Sequence, residues 1–256
     1  MRTHTFAPMS GAYHEYQVQL ASSRDRFDRS PAARTLVCAE TSPVLLEAFF
    51  LYFSALGVQM TAPVEAWIHR AGLRCMDLGY SSLGSALMAH SRHEAGHDAL
   101  MARDARGLAT RWNNLHEDAA IDVEALLVEA PSVAVLRYIE LHESVLSGPA
   151  PFAQLAIELE IEALSVRLGA PVLDNLATQL GPPFVKELSF LTEHVAIDSA
   201  HTAFNERQLA RFLDADSSAL VPLVEAGRRA LESYGGFLGE CLGRAEIQVA
   251  KLDRRS

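Results

Sequence analysis

An all-α bundle of seven to ten helices is the fold class this sequence predicts, and three observations lead there. Apolar residues recur with helical spacing, no segment alternates in the manner of a strand, and Pro and Gly fall between the apolar runs. At 256 residues and 49% hydrophobic, the chain can also bury one sizeable core.

The elements follow from that punctuation. Residues 1–40 read as an N-terminal extension, partly irregular, of a single helical domain spanning 1–256. Ser42-Pro43 opens a helix over Val44–Leu56, and Ala62-Pro63 opens a second to about Met76. Ser81 or Ser82 opens a long helix to about Trp112, interrupted in pattern by Gly84 and Gly96. Further helices are predicted over 117–129, Pro131–Leu146, Pro151–Leu168 and Pro171–Leu180. Gly181-Pro182-Pro183 opens another to about Leu213, and the last runs from Ser218 to Leu252 with a kink or break at Gly235-Gly236. No repeat, low-complexity tract or long linker divides the chain.

Charge and cysteine usage exclude several functions. With 32 acidic against 22 basic residues the net charge is −10, which opposes a phosphate-binding surface, so no nucleic-acid partner is expected. Cys38, Cys75 and Cys241 are widely spaced and form no CxxC, which fits a reducing cytoplasm rather than a disulfide framework or a thiolate metal site. The N-terminus has no apolar signal core, and the greasy run Val44–Met60 is short for a span and contains Glu47, so no membrane association is expected.

Three clusters carry chemistry. In LTEHVAIDSAH, residues 191–201, the side chains of His194, Asp198 and His201 fall at i, i+4 and i+7 on one helical face, spread over roughly 10 Å. That stripe is either solvated or metal-binding. In SRHEAGH, residues 91–97, two readings compete. One is HExxH, with His93 and His97 on zinc and Glu94 as general base, although no third zinc ligand follows at the usual spacing. The other is Glu94-x-x-His97, the i, i+3 pair that di-metal carboxylate bundles place on inner helices. In AIELEIEALS, Glu158, Glu160 and Glu162 cannot share a face, and Glu162 aligns with Leu155, Leu159 and Val166 as a core position. A carboxylate there needs a partner, and a metal would serve. Glu158 and Glu160 remain alternatives by a shift of register.

Taken together, the Glu162 helix, Gly181 nineteen residues later and the His-x-x-x-Asp-x-x-His at 194–201 resemble the haem-oxygenase-like di-iron oxidases and oxygenases, related in fold to thiaminase and pyrroloquinoline quinone synthase proteins. The resemblance covers roughly residues 80–210. It implies a haem-oxygenase-like bundle holding two Fe(II) ions, one on Glu94, His97 and His194 and the other on Glu162, Asp198 and His201. It implies dioxygen as co-substrate, oxidation of a small carboxylate-bearing molecule such as an amino or fatty acid, and homodimerisation. Two departures stand out. Members often carry a carboxylate seven residues before the first His, where this chain has His90, and some add a glutamate from an earlier helix, for which Glu47 is the candidate. Three carboxylates and three imidazoles suit Fe(II) or Mn(II).

Other groups receive plainer readings. Glu140, His142 and Glu143 are expected on a solvated face, and Arg92, Arg103, Arg137 and Arg167 are candidates to clamp a substrate carboxylate. A Cys75 or Cys241 nucleophile, a zinc hydrolase built on HEAGH, and a metal-free helical binding protein are the rival functions.

Overall fold

The computed structural model of the chain describes residues 11–253. Its helices are α1 (Gly11–Asp28), α2 (Pro31–Val37), α3 (Pro43–Thr61), α4 (Val64–Asp77), α5 (Ser81–Ser91), α6 (His97–Leu115), α7 (Val123–Leu127), α8 (Val133–Ser147), α9 (Gln154–Leu180), α10 (Pro182–Lys186), α11 (Ser189–Ala215) and α12 (Leu220–Asp253). Ten of them have seven residues or more, and no strand occurs among the described residues. The all-α expectation is met.

Local chemistry sets several starts. Ser30 and Ser132 accept from the backbone N–H three residues on, capping α2 and α8, and Pro31 and Pro43 occupy first-turn positions whose N–H would be orphaned anyway. Helix α3 is apolar all round and buried from Leu46 to Gly57, so it forms the centre of the bundle, packed by α6 and α12. The most apolar window within Pro43–Asp77 passes a membrane-span test by composition, but 72% of it is buried inside the protein.

Several helix boundaries differ from expectation, among them the single helix predicted from Gly181-Pro182-Pro183 to Leu213, which is two, α10 and α11, divided at Glu187–Leu188. Much of the N-terminal extension is helical, with Tyr13, Tyr16, Leu20, Ser23 and Phe27 repeating at helical spacing toward the core in α1, while residues 29–30 and 38–42 form the turns around α2. Residues 1–10 lie outside the described part. The predicted 81–112 helix is two helices separated by a turn at 92–96, because Gly96 adopts φ 88°, a left-handed conformation that interrupts the i→i−4 ladder. Conversely, Pro151–Leu168 and Pro171–Leu180 are one helix, α9, which runs through Pro171. An interior proline costs about 3 kcal/mol. Here Val172 and Leu176 are buried beyond it, and the Asn175 amide donates to the carbonyls of Leu36 and Cys38, so packing holds the helix on both sides. Likewise α12 passes Gly235-Gly236 unbroken, since Leu231, Phe237 and Leu238 anchor both flanks.

The α4–α5 pair positions the first functional side chain. Its helices cross at Gly72 and Gly84, where a Cβ on Gly84 would lie 2.6 Å from the Gly72 carbonyl oxygen, and one on Gly72 would lie 2.8 Å from that of Gly84. Backbone cannot yield as a side chain can. Gly84→Ala is expected to lower stability by about 1–3 kcal/mol, read as a drop in the urea midpoint; an unchanged midpoint would mean the helices separate freely at this crossing.

Candidate metal centre

The centre is assembled from five segments. Helix α5 delivers His90 in its last turn, the 92–96 turn delivers Glu94, α6 begins with His97, α9 supplies Glu162, and α11 supplies His194, Asp198 and His201. Had α5 and α6 been continuous, Glu94 would be fixed on a helical face; the turn instead lets its carboxylate point inward. Its side chain is only 10% exposed.

Two groups of donor atoms result, each gathered within 4.8 Å: Glu94, His97 and His194 in one, and His90, Glu94, Glu162 and His201 in the other. Glu94 belongs to both. Its Oε2 lies 2.8 Å from His97 Nδ1, while its Oε1 lies 4.0 Å from His90 Nε2. In the second group His90 Nε2 is 3.0 Å, and His201 Nδ1 3.7 Å, from Glu162 Oε1. Asp198 Oδ1 also stands 3.7 Å from His201 Nδ1. Supporting bonds aim two of these groups. His194 donates from Nδ1 to the Phe190 carbonyl at 2.8 Å, which leaves its Nε2 to the centre. The Asn205 amide donates to Glu162 Oε2 at 2.7 Å and leaves Oε1 turned to His90 and His201.

The expected first triad is therefore brought together as named. In the second, His90 joins Glu162 and His201, while Asp198 stands against the group rather than within it. Sequence reading missed His90 and Asn205 as members. Both left a trace: His90 occupies the position where the resemblance expected a carboxylate, and Asn205 continues the 194, 198, 201 stripe by one further turn. Glu47 is corrected: although buried, it pairs with Arg111 at 3.0 Å on the α3–α6 interface and belongs to neither donor group.

Helix α9 separates its three glutamates. Glu162 faces the centre, Glu160 turns to the opposite side to meet Arg24 and the Tyr16 hydroxyl, and Glu158 lines the cavity one turn away, accepting from Gln154. All three are buried, so none of the carboxylates is solvated; Val166, expected in the core, is 44% exposed instead. The HExxH reading fails on geometry, because residues 92–96 are not helical: exposed His93 sits beside His201, away from His97.

Charge in this box is unbalanced. Burial pushes the Asp198 carboxyl up to about 7 and that of Glu158 up to about 8, and burial holds His194 down to about 4. Burial would also lower His90, but its bond to Glu162 outweighs this and lifts it to about 9. His201 Nδ1 and both Asp198 oxygens have no hydrogen-bond partner, while His90 Nε2 and Glu162 Oε1 meet each other at 3.0 Å. Polar atoms buried without partners cost a few kcal/mol each unless something else binds them. Carboxylate oxygens and imidazole nitrogens, with no thiolate, make a donor set that fits divalent iron or manganese.

The centre opens onto a cavity of about 150 Å³, walled by Phe49, Phe50, Phe53, Met101, Phe237 and Leu238 among others. No lysine or arginine lines it among the described residues. Arg167 is held by Asp28, Arg103 lies next to Asp104 with its side chain 64% exposed, and Arg92 is exposed. Arg137 lines a separate surface groove between α8 and α12. The buried thiols are no nucleophiles, since burial pushes Cys75 up to about 12 and raises Cys241 further from its ordinary range.

The fold has relatives among solved structures. A domain of unknown function from Shewanella denitrificans, described as having a heme oxygenase-like fold, superposes with a TM-score of 0.73 at 16% identity, covering 94% of this chain and 95% of that one. A TenA homologue from Pseudomonas syringae pv. tomato matches with a TM-score of 0.67 at 14% identity, over 95% of this chain and 100% of the other. A CADD-like protein of unknown function from Nostoc punctiforme follows with 0.56 at 15% identity, over 91% and 96%. The architecture is thus a haem-oxygenase-like helical bundle, as the resemblance implied. No protein-family model matches the chain, and no curated protein matches it.

Proposed function

We propose that the centre holds two iron ions and that the protein is a non-haem, dioxygen-dependent oxidase or oxygenase acting on a small, largely apolar molecule. The observation that carries this reading is Glu94, whose two oxygens face two separate donor groups beside one apolar cavity. Glu94, His97 and His194 would hold one ion, and Glu94, His90, Glu162 and His201 the other, with Asp198 against the second. Two ferrous ions supply electrons for reducing dioxygen.

The chain's own residues do the rest. Asn205 and the Phe190 carbonyl fix Glu162 and His194 so that donor atoms are set before a metal arrives. The phenylalanine wall excludes water from the reacting face. Glu158, kept protonated to about 8 by burial, holds a proton at the cavity edge at neutral pH. A wall without cations favours the apolar part of a substrate inside, so a carboxylate, as on a fatty acid, would stay at the mouth rather than against an arginine clamp. Against a metal-free binding protein stand the partnerless buried donors, which a mere binding pocket has no reason to keep.

Anaerobic Fe(II) titration followed by oxygen exposure tests this reading. Two irons per chain and a transient visible absorbance are expected in the wild type, with the transient lost in Asp198→Ala. No iron uptake, or one zinc indifferent to Asp198→Ala, would sink it.

A further inference from the structure

Among the described residues eight phenyl and phenol rings line the cavity, and six are phenylalanines, which resist one-electron oxidation. The two that do not are Tyr138 and Tyr234. Tyr138 is buried and Tyr234 half-buried, and both share the cavity wall with Glu94 and Asp198: burial, then Glu158 when ionised, holds the Tyr138 proton firmly, with Glu94 adding to it, and Tyr234 feels burial and, more weakly, Cys241 and Asp198. Their rings lie 6.3 Å apart. From Tyr138 a stack of rings leads away from the cavity: His142 at 4.6 Å, and Trp67 at 4.1 Å from His142 with its plane only 8° off. Trp67 itself is 6.3 Å from Tyr138. Its indole N–H donates to Glu143 at 2.8 Å, and Glu143 is gripped at the surface by Arg70 through bonds of 2.8 and 3.0 Å. The Glu143 side chain is 44% exposed.

We propose that Tyr138, assisted by Tyr234, and Trp67 form a one-electron path from the surface at Glu143–Arg70 to the metal centre. The proposal rests on the reading of that centre as an oxygen-oxidised iron site, which is the oxidant, and it requires a one-electron reductant outside the protein. Tyr138 gives one electron to the oxidised centre and its phenolic proton to Glu158 in its ionised form. The Tyr138 radical then takes an electron from Trp67 and recovers its proton, while Trp67 passes its indole proton to Glu143. The exterior reductant restores the Trp67 electron, and Glu143 returns the proton. One electron has moved inward, no bond is permanently changed, and no proton is gained or lost. His142 stays neutral throughout as the packing that keeps Tyr138 and Trp67 in register. Such a path lets the centre be reduced while the cavity remains closed to bulky reductants and water.

The test uses the full-length protein loaded anaerobically with Fe(II), exposed to oxygen without substrate, freeze-quenched and examined by electron paramagnetic resonance, with iron counted in parallel. In the wild type an organic radical should appear whose spectrum narrows when tryptophan is ring-deuterated. In Trp67→Phe that tryptophan signature should be lost and a radical sensitive to ring-deuterated tyrosine should remain. Tyr138→Phe, a change of one hydroxyl that leaves the packing intact, should lose the tryptophan signature as well. A packing role alone would not move an isotope-specific signature. If iron binds and is oxidised in all three proteins but no organic radical forms, or if its isotope response is the same in each, the path is overturned while the iron reading stands. If iron does not bind, both fall.

Discussion

Glu94→Ala is expected to leave the chain with no tightly held iron, whereas His97→Ala and His90→Ala are each expected to lose one ion of two. The asymmetry follows from geometry. His97 meets Oε2 of Glu94 at 2.8 Å in the group that contains His194, and His90 faces Oε1 at 4.0 Å in the group that contains Glu162 and His201. Removing one imidazole strips a single group of a donor, but removing the shared carboxylate opens both groups and cancels the one negative charge between them. Replacing even an outer-sphere partner of a ligand costs about 10–100-fold in affinity, so loss of a shared inner ligand should exceed that at each ion. Metal counts on anaerobically loaded, gel-filtered variants decide it. Two irons retained in Glu94→Ala would show that Glu94 is shared by position only, with Asp198 completing the second group instead. His90→Ala separates the two ligand sets in the same experiment, because the set expected from the sequence alone contains no His90.

Acidification should destabilise this protein steeply, and His142 should account for a large part of the slope. Expected on a solvated face, the side chain is fully buried, stacked on Trp67, and faced by the Gln154 amide nitrogen at 2.8 Å from its Nδ1. That amide donates, so the ring proton sits on Nε2, which has no partner. Burial outweighs the hydrogen bond and lowers the imidazole to about 3. The sign is that of a depressed histidine. Between its ordinary value near 6.5 and about 3 the unfolded chain binds a proton that the folded chain refuses, so this group favours folding fully above pH 6.5 and loses that contribution as pH falls. The slope reaches at most about 1.4 kcal/mol per pH unit. His142→Phe keeps the stack and removes the titration, so its urea midpoint should fall less than the wild type's between pH 6 and pH 4. Parallel curves for the two proteins would mean that His142 takes up its proton in the fold without penalty.

Much of the architecture was legible because it is local. Helical periodicity, serine caps and first-turn prolines depend on residues within a turn of one another, and they place the starts of α3 and α8 within a residue or two of where the sequence predicts them. The failures share one cause. Pro171 and Gly235-Gly236 read as breaks by their intrinsic cost, yet buried neighbours on either side hold α9 and α12 through them. Helix α1 was missed because its buried stripe is built from Tyr13, Tyr16 and Ser23 as much as from Leu20 and Phe27, and tyrosine and serine carry little apolar signal.

The metal centre divides in the same way. The sequence by itself determined that His194, Asp198 and His201 share a stripe, that Glu94 and His97 keep company, and that one glutamate of α9 points inward, because each of these is a spacing along a single segment. Only the tertiary structure decided which glutamate it is, that Glu94 serves both groups, that His90 replaces a carboxylate, and that Glu47 belongs to Arg111. It also decided that no lysine or arginine lines the cavity among the described residues. Those are facts about which faces of different helices meet. Spacing along one helix cannot encode them, since the rotation of each helix about its axis is set by how its whole apolar surface packs against its neighbours.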